Sequence, residues 1–120
     1  MLGQAFATVP VDKANTWVGV AGTITTLSAV SQDLPGYDPD AIHLSRLSDD
    51  EVDRTAARLL GATREQRAAL GPMHPGRVDV IGGGALITQV LAAEFASAAG
   101  ISELLVSEHD ILDGIVLSLL

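Results

Sequence analysis

The sequence predicts an α/β fold with few strands and several flanking helices, and three observations carry that prediction. The first is Trp17-Val18-Gly19-Val20, a short apolar, β-branched run that reads as a buried strand and breaks at Ala21-Gly22 into a helix. The second is another strand far along the chain, Glu103-Leu104-Leu105-Val106-Ser107. The third is a pair of capping boxes, Ser48 with Glu51 and Thr63 with Gln66, each of which opens a helix.

Composition narrows the classes of function. A chain of 120 residues makes at most one small domain. Apolar residues are 48% and aromatics 3%, so the expected core is built of Ala, Val, Leu and Ile. With no cysteine, there is neither a disulfide nor a thiolate zinc site. The net charge of −8 is the wrong sign for a general nucleic-acid binder, so any polyanion must be held by a local site. The sequence is expected to hold no apolar run long enough to cross a bilayer and no signal peptide, which makes the cytoplasm the default location.

The elements follow in order. Leu2 to Val9 reads as the end of a helix that Pro10 stops, and residues 11–15 lead into the first strand. Thr23 is expected to cap the next helix, which carries Ile24, Leu27 and Val30 on one side. Asp33 to Pro39 is a turn-rich loop, and His43-Leu44-Ser45 a short extended piece. The helix opened by Ser48 places Val52, Ala56, Leu59 and Leu60 on its apolar stripe and ends at Gly61. The helix opened by Thr63 ends near Gly71, and Pro72 to Gly76 is a loop.

The segment from Arg77 to Ala85 has two readings. In one, strand Val78–Ile81 runs into a glycine loop and a helix from Leu86 to Ala99. In the other, one long helix begins near Arg77, with Val78, Ile81, Ala85 and Gln89 at helical spacing. Three helical glycines cost about 1 kcal/mol each against alanine, tolerable where that face packs closely on a neighbour. Gly100 closes the helix, and a final apolar helix runs from Ile111 to Leu120 with Asp110 or Asp113 at its start. Two strands do not make a stable open sheet alone, which favours a part of a longer protein.

Few residues are candidates for chemistry. The strand–glycine–helix turn at Ala21-Gly22-Thr23 presents unpartnered helix N–H groups, which suit a phosphate but equally occur in plain turns. Arg77, after a Pro-Gly turn, is either an ion-paired surface arginine or a phosphate ligand. His109-Asp110 with Glu108 and Asp113 resembles a metal cluster, but helix-capping acids on a surface turn explain it better, since His43 and His74 stand apart. Ser28 and Ser107 lack any partner arrangement for nucleophilic catalysis. Lys13 and the acids from Asp38 to Asp53, interleaved with Arg46, Arg54 and Arg58, read as solvated faces.

Three stretches, in this order, resemble the exopolyphosphatase / guanosine pentaphosphate phosphohydrolase (Ppx/GppA) family of the actin–Hsp70–sugar kinase superfamily. They are Gly19-Val20-Ala21-Gly22-Thr23-Ile24-Thr25-Thr26-Leu27, then Met73-His74-Pro75-Gly76-Arg77-Val78-Asp79-Val80-Ile81, and Val106-Ser107-Glu108 with Leu112-Asp113-Gly114. The resemblance covers the chain from about Val9 onward. It implies a partial actin-like (ribonuclease H-like) lobe, with residues 1–120 as the C-terminal part of the second of two lobes that face each other across a cleft. It favours the helical reading after Arg77, where the family has a long helix with small residues.

The same resemblance implies the function. The parent protein would remove terminal phosphates from polyphosphate or guanosine pentaphosphate by in-line attack of water, with Mg²⁺ offsetting phosphate charge. The catalytic glutamate and the family's Asp-Ile-Gly-Gly-Gly-Ser-Thr-Glu motif are not in this chain, so the chain alone is expected to be inactive and to hold no catalytic residue and no metal. Gly22, Thr23 and Arg77 are its implied phosphate-binding residues, while Glu108, Asp113 and Gly114 are structural. The expected partners are the phosphorylated substrate, the N-terminal lobe of the same protein and a second copy paired through strand edges, with no nucleic acid and no membrane. Two alternatives remain: a non-catalytic lobe that senses phosphorylated nucleotides, and a lobe of a sugar-kinase or Hsp70-like ATPase.

Overall fold

Three short strands centre the fold: β1 (Trp17–Gly19), β2 (Arg46–Ser48) and β3 (Glu103–Val106). The computed structural model describes residues 2–120, and in it β3 lies between the other two. It runs parallel to β1, with Trp17 opposite Leu104 and Gly19 opposite Val106, and antiparallel to β2, with Leu47 opposite Leu104. The α/β class expected from the sequence stands, but β2 sits three residues beyond the extended piece expected at 43–45. The sheet is also covered on one face only. Trp17, Leu47, Leu104 and Val106 point into the core while Val18, between them in pattern, is 50% exposed.

The helices are α1 (Leu2–Thr8), α2 (Ala21–Ser31), α3 (Pro39–Ile42), α4 (Asp49–Gly61), α5 (Arg64–Ala68), α6 (Ile81–Ala99) and α7 (Ile111–Ser118). Both expected capping boxes form, Ser48 with Glu51 on α4 and Thr63 with Gln66 on α5, because each needs only residues three apart. Asp110 and Asp113 form a third at α7. On α4, Val52, Ala56 and Leu59 are buried as their spacing requires, whereas Leu60 stays half exposed at the stripe's edge. Helix α3 begins at the last residue of the expected loop, Pro39, and fills residues 40–42, for which the sequence suggested no element. Asp38 caps it by accepting from the N–H groups of Asp40 and Ala41, and Pro39 supplies the fixed φ of a first helical residue.

Thr23 does not cap α2. The helix starts at Ala21, after Val20, and no side chain caps it. Ala21 takes φ 70°, a left-handed conformation unfavourable for alanine, and this turns the chain out of β1 so that the helix N-cap is Val20, three residues before the expected Thr23.

The strand-and-glycine-loop reading after Arg77 is overturned. Pro75–Arg77 is a short 3-10 turn, and Gly82, Gly83 and Gly84 lie inside α6. The long helix therefore exists but begins at Ile81, after a turn over residues 78–80. Its Ile81, Ala85, Thr88 and Ala92 are buried at helical spacing. Two apolar clusters result. Trp17, Ile42, Leu47, Val52, Leu104 and Val106 pack on the sheet, with Trp17 stacked on Phe95 at 5.0 Å. Leu27, Val30, Ala56, Leu59, Val78 and Ile81 pack among α2, α4 and α6. By length and hydropathy α6 is apolar enough to cross a bilayer, contrary to the expectation that no such run exists. Here its buried face is part of the core between α2 and α4.

Candidate functional site

The first turn of α2 opens onto a cavity of about 450 Å³. Four segments wall it: Ala21, Gly22 and Thr25 from α2, Tyr37 from the loop before α3, residues 71–74 with Arg77 from the turns before α6, and Glu108 with Asp110 from the loop after β3. These segments lie far apart in sequence. Gly71 helps bring two of them together, because its missing Cβ leaves room for the Pro35 carbonyl of the Tyr37 loop.

Two of the three residues expected to bind phosphate meet here. The Arg77 guanidinium lies directly against Gly22, and a Cβ on Gly22 would overlap its Nη2, Cζ and Nε. Only glycine allows this approach. The N–H groups of Ala21, Gly22 and Thr23 begin an uncapped helix and have no acceptor within it. Among the described residues Arg77 forms no ion pair and no side-chain hydrogen bond. A delocalised cation and the positive end of a helix dipole therefore face the same cavity, an arrangement that suits an oxyanion.

Thr23, the third, contributes no side chain to the cavity. Its Cγ2 and Oγ1 pack against α6, where a Cβ on Gly84 would lie 2.6 Å and 3.0 Å from them. What Thr23 offers the site is its main-chain N–H. The Gly82-Gly83-Gly84 triplet serves helix packing here, with Gly82 facing Leu60 and Arg67.

Four other titratable side chains line the cavity without having been assigned to it from sequence. His74 accepts the Gly76 N–H on Nδ1 at 3.0 Å, so in the neutral ring Nε2 carries the proton and is a donor. The Tyr37 hydroxyl donates to Glu108 Oε1. Burial first, and then this bond to Glu108, hold the Tyr37 hydroxyl above the usual phenol range. The Glu108 N–H in turn donates to His43 Nδ1 at 3.0 Å, and the His43 ring meets His109 edge-on at 4.8 Å. Asp110 uses Oδ1 to cap the Leu112 N–H at 2.9 Å. The sole tyrosine of the chain, in a loop rich in turn residues, was the one sequence signal that could have pointed here.

The acids of this wall do not fit a metal centre. Among the described residues no group of three His, Asp or Glu side chains is placed to hold an ion. Glu108 is taken by Tyr37 and Asp110 by its cap, so no open carboxylate pair remains. His109 lies 3.7 Å from Asp113, in keeping with a surface turn that caps α7.

Comparison with known proteins bears on the whole fold. The chain is 59% identical over 118 residues to Exopolyphosphatase 2 of Mycobacterium tuberculosis, covering 98% of this chain and 37% of that protein. The chain thus spans little more than a third of the curated relative. Superposition on the crystal structure of an exopolyphosphatase-like protein gives a TM-score of 0.93 at 38% identity, over 98% of this chain and 38% of that one. A Ppx/GppA protein of Aquifex aeolicus shares the fold, with a TM-score of 0.75 at 23% identity over 98% of this chain and 39% of that one. The model of the Ppx/GppA phosphatase family matches residues 4–119. The chain belongs to the Ppx/GppA phosphatase family.

Proposed function

We propose that this chain is the phosphate-gripping, C-terminal part of the second lobe of a hydrolase that removes terminal phosphates from polyphosphate or guanosine pentaphosphate. One observation carries the reading. The guanidinium of Arg77, free of any carboxylate among the described residues, lies on the uncapped first turn of α2 at Gly22. A terminal phosphate seated there takes the Arg77 N–H groups together with the main-chain N–H groups of Gly22 and Thr23. His74 Nε2 is a further donor at the same wall.

The reading assigns this chain binding and orientation, not bond cleavage. The general base and the Mg²⁺ that offsets phosphate charge belong to the remaining lobe of the intact protein, which works in the cytoplasm. The 120-residue chain alone is inactive in this account. Its acidic net charge of −8 supports a narrow site over a broad polyanion surface.

The test is orthophosphate release from long-chain polyphosphate and from guanosine pentaphosphate, with Mg²⁺, by this chain beside the intact protein. The expected result is an active intact protein and a silent chain. Turnover by the chain alone would overturn its assigned role. An intact protein that binds both compounds and cleaves neither would favour a sensing lobe. One that acts only on adenine nucleotides would favour the kinase or ATPase reading.

A further inference from the structure

The cavity poses an electrostatic problem. Glu108 lines the same space as Arg77, and a carboxylate within reach of a guanidinium ordinarily pairs with it. Such a pair would occupy the donors that an incoming phosphate needs. Among the described residues, however, Arg77 has no carboxylate partner, nor do Arg54 and Arg67, while Arg46, Arg58 and Arg64 each have one. Glu108 is held elsewhere at two points. Its main-chain N–H is fixed on His43 Nδ1 at 3.0 Å, and its carboxylate accepts from the Tyr37 hydroxyl.

We propose that Tyr37 is a positioning residue, whose hydroxyl holds the Glu108 carboxylate away from Arg77 and so keeps the guanidinium open to phosphate. This rests on the reading of Arg77 and Gly22 as the phosphate grip. Without the hydroxyl, Glu108 keeps its main-chain anchor on His43, but its side chain is free to swing to Arg77. The carboxylate then competes with phosphate for the same N–H groups. The loop carrying Tyr37 is itself located by the close approach of Pro35 to Gly71, so the hydroxyl reaches Glu108 from a fixed platform. The phenol is held above its usual range first by partial burial and then by its bond to Glu108, as expected of a hydroxyl that donates to a carboxylate.

The test uses the 120-residue chain and inorganic tripolyphosphate as probe, with binding followed by calorimetry. Four variants are compared with wild type: Tyr37→Phe, Glu108→Gln, both together, and Arg77→Ala. Fluorescence of the single tryptophan, Trp17, verifies that each is folded. Tyr37→Phe is expected to weaken binding about fivefold, the scale of one partly exposed ion pair. Glu108→Gln is expected to bind at least as tightly as wild type, and the double variant to recover wild-type affinity or better. A merely structural role for Tyr37 would give no such rescue.

The single tyrosine also allows a direct spectroscopic reading. Its ultraviolet titration midpoint should fall toward the ordinary phenol range in Glu108→Gln. If Tyr37→Phe binds like wild type, if the double variant stays as weak as Tyr37→Phe, or if the midpoint does not move, the positioning role is overturned. Arg77→Ala separates this from the underlying reading. If wild type does not bind tripolyphosphate, or if Arg77→Ala binds as well as wild type, the phosphate grip itself fails. If Arg77→Ala loses binding while Tyr37→Phe keeps it, the grip stands and only the role of Tyr37 falls.

Discussion

Gly22→Ala should separate stability from phosphate binding. The added Cβ overlaps the Nη2, Cζ and Nε atoms of Arg77. These atoms form the far end of a flexible side chain, so the collision is relieved when the guanidinium swings off the helix. The backbone gains, since alanine is favoured over glycine in a helix by no more than about 1 kcal/mol. For a chain of this size that corresponds to a rise in Tm of about 4 °C or less. The site loses the alignment of Arg77 with the first-turn N–H groups. A hydrogen bond to a charged group contributes about 1.5–3 kcal/mol, so tripolyphosphate affinity should fall about 10- to 150-fold. Thermal melting followed by Trp17, which is 6% exposed and stacked on Phe95, reads the first quantity, and calorimetry the second. Wild-type affinity in a folded variant would refute the account of Gly22. A fall in Tm of several degrees would show that Arg77 cannot move and acts as a structural clamp instead.

Other glycines should behave by their surroundings. Gly83 has nothing within 4 Å of an added Cβ, so Gly83→Ala should stabilise by about 0.5–1 kcal/mol in chemical denaturation. One residue on, Gly84→Ala drives a Cβ to 2.6 Å from Thr23 Cγ2, and the net effect should be a loss of about 1 kcal/mol after the helical gain. Gly71→Ala meets the main chain of Pro35, which has no rotamer to yield, and should cost about 2 kcal/mol or more while displacing the Tyr37 loop. The exposed Arg64 beside Asp79 holds that carboxyl below its ordinary range, so the pair's contribution is present above the ordinary carboxylate pKa and is lost as pH falls through the lowered value. Asp79→Asn should therefore narrow its stability difference from wild type on acidification, and 1 M salt should reduce that difference at neutral pH, both read by denaturation with Trp17 fluorescence.

The parts of the fold that were legible in the sequence are those set by near neighbours. Ser48 with Glu51 and Thr63 with Gln66 fix two helix starts through residues three apart, and Gly100, at φ 68°, ends α6 as expected of a glycine there. What escaped depends on distant partners. β2 contributes a single buried side chain, Leu47, and exists because β3 pairs with it. The early start of α2 rests on alanine in a left-handed conformation, which local preference argues against. The glycines of α6 left a loop and a helix both open on local grounds, and the partner that makes Gly84 small, Thr23, lies on a distant helix.

The candidate site divides in the same way. Gly22 and Arg77 could be singled out one by one, as a glycine at a helix start and an arginine after a Pro-Gly turn. Their direct contact, 55 residues apart along the chain (77 − 22), could not be read from spacing alone. Tyr37, His74 and Glu108 come from three different loops, and each alone is an ordinary surface residue. Only the folded chain places the tyrosine on the glutamate and, among the described residues, leaves the arginine without a carboxylate partner.

The central claim is that phosphate binds where Arg77 meets the first turn of α2. An amide-resolved NMR titration of this chain with tripolyphosphate tests it most directly. The account predicts saturating shifts of the Ala21, Gly22 and Thr23 amides together with the Arg77 side-chain Nε–H, all abolished by Arg77→Ala. Shifts centred on any other surface, or shifts at these amides that survive Arg77→Ala, would contradict it.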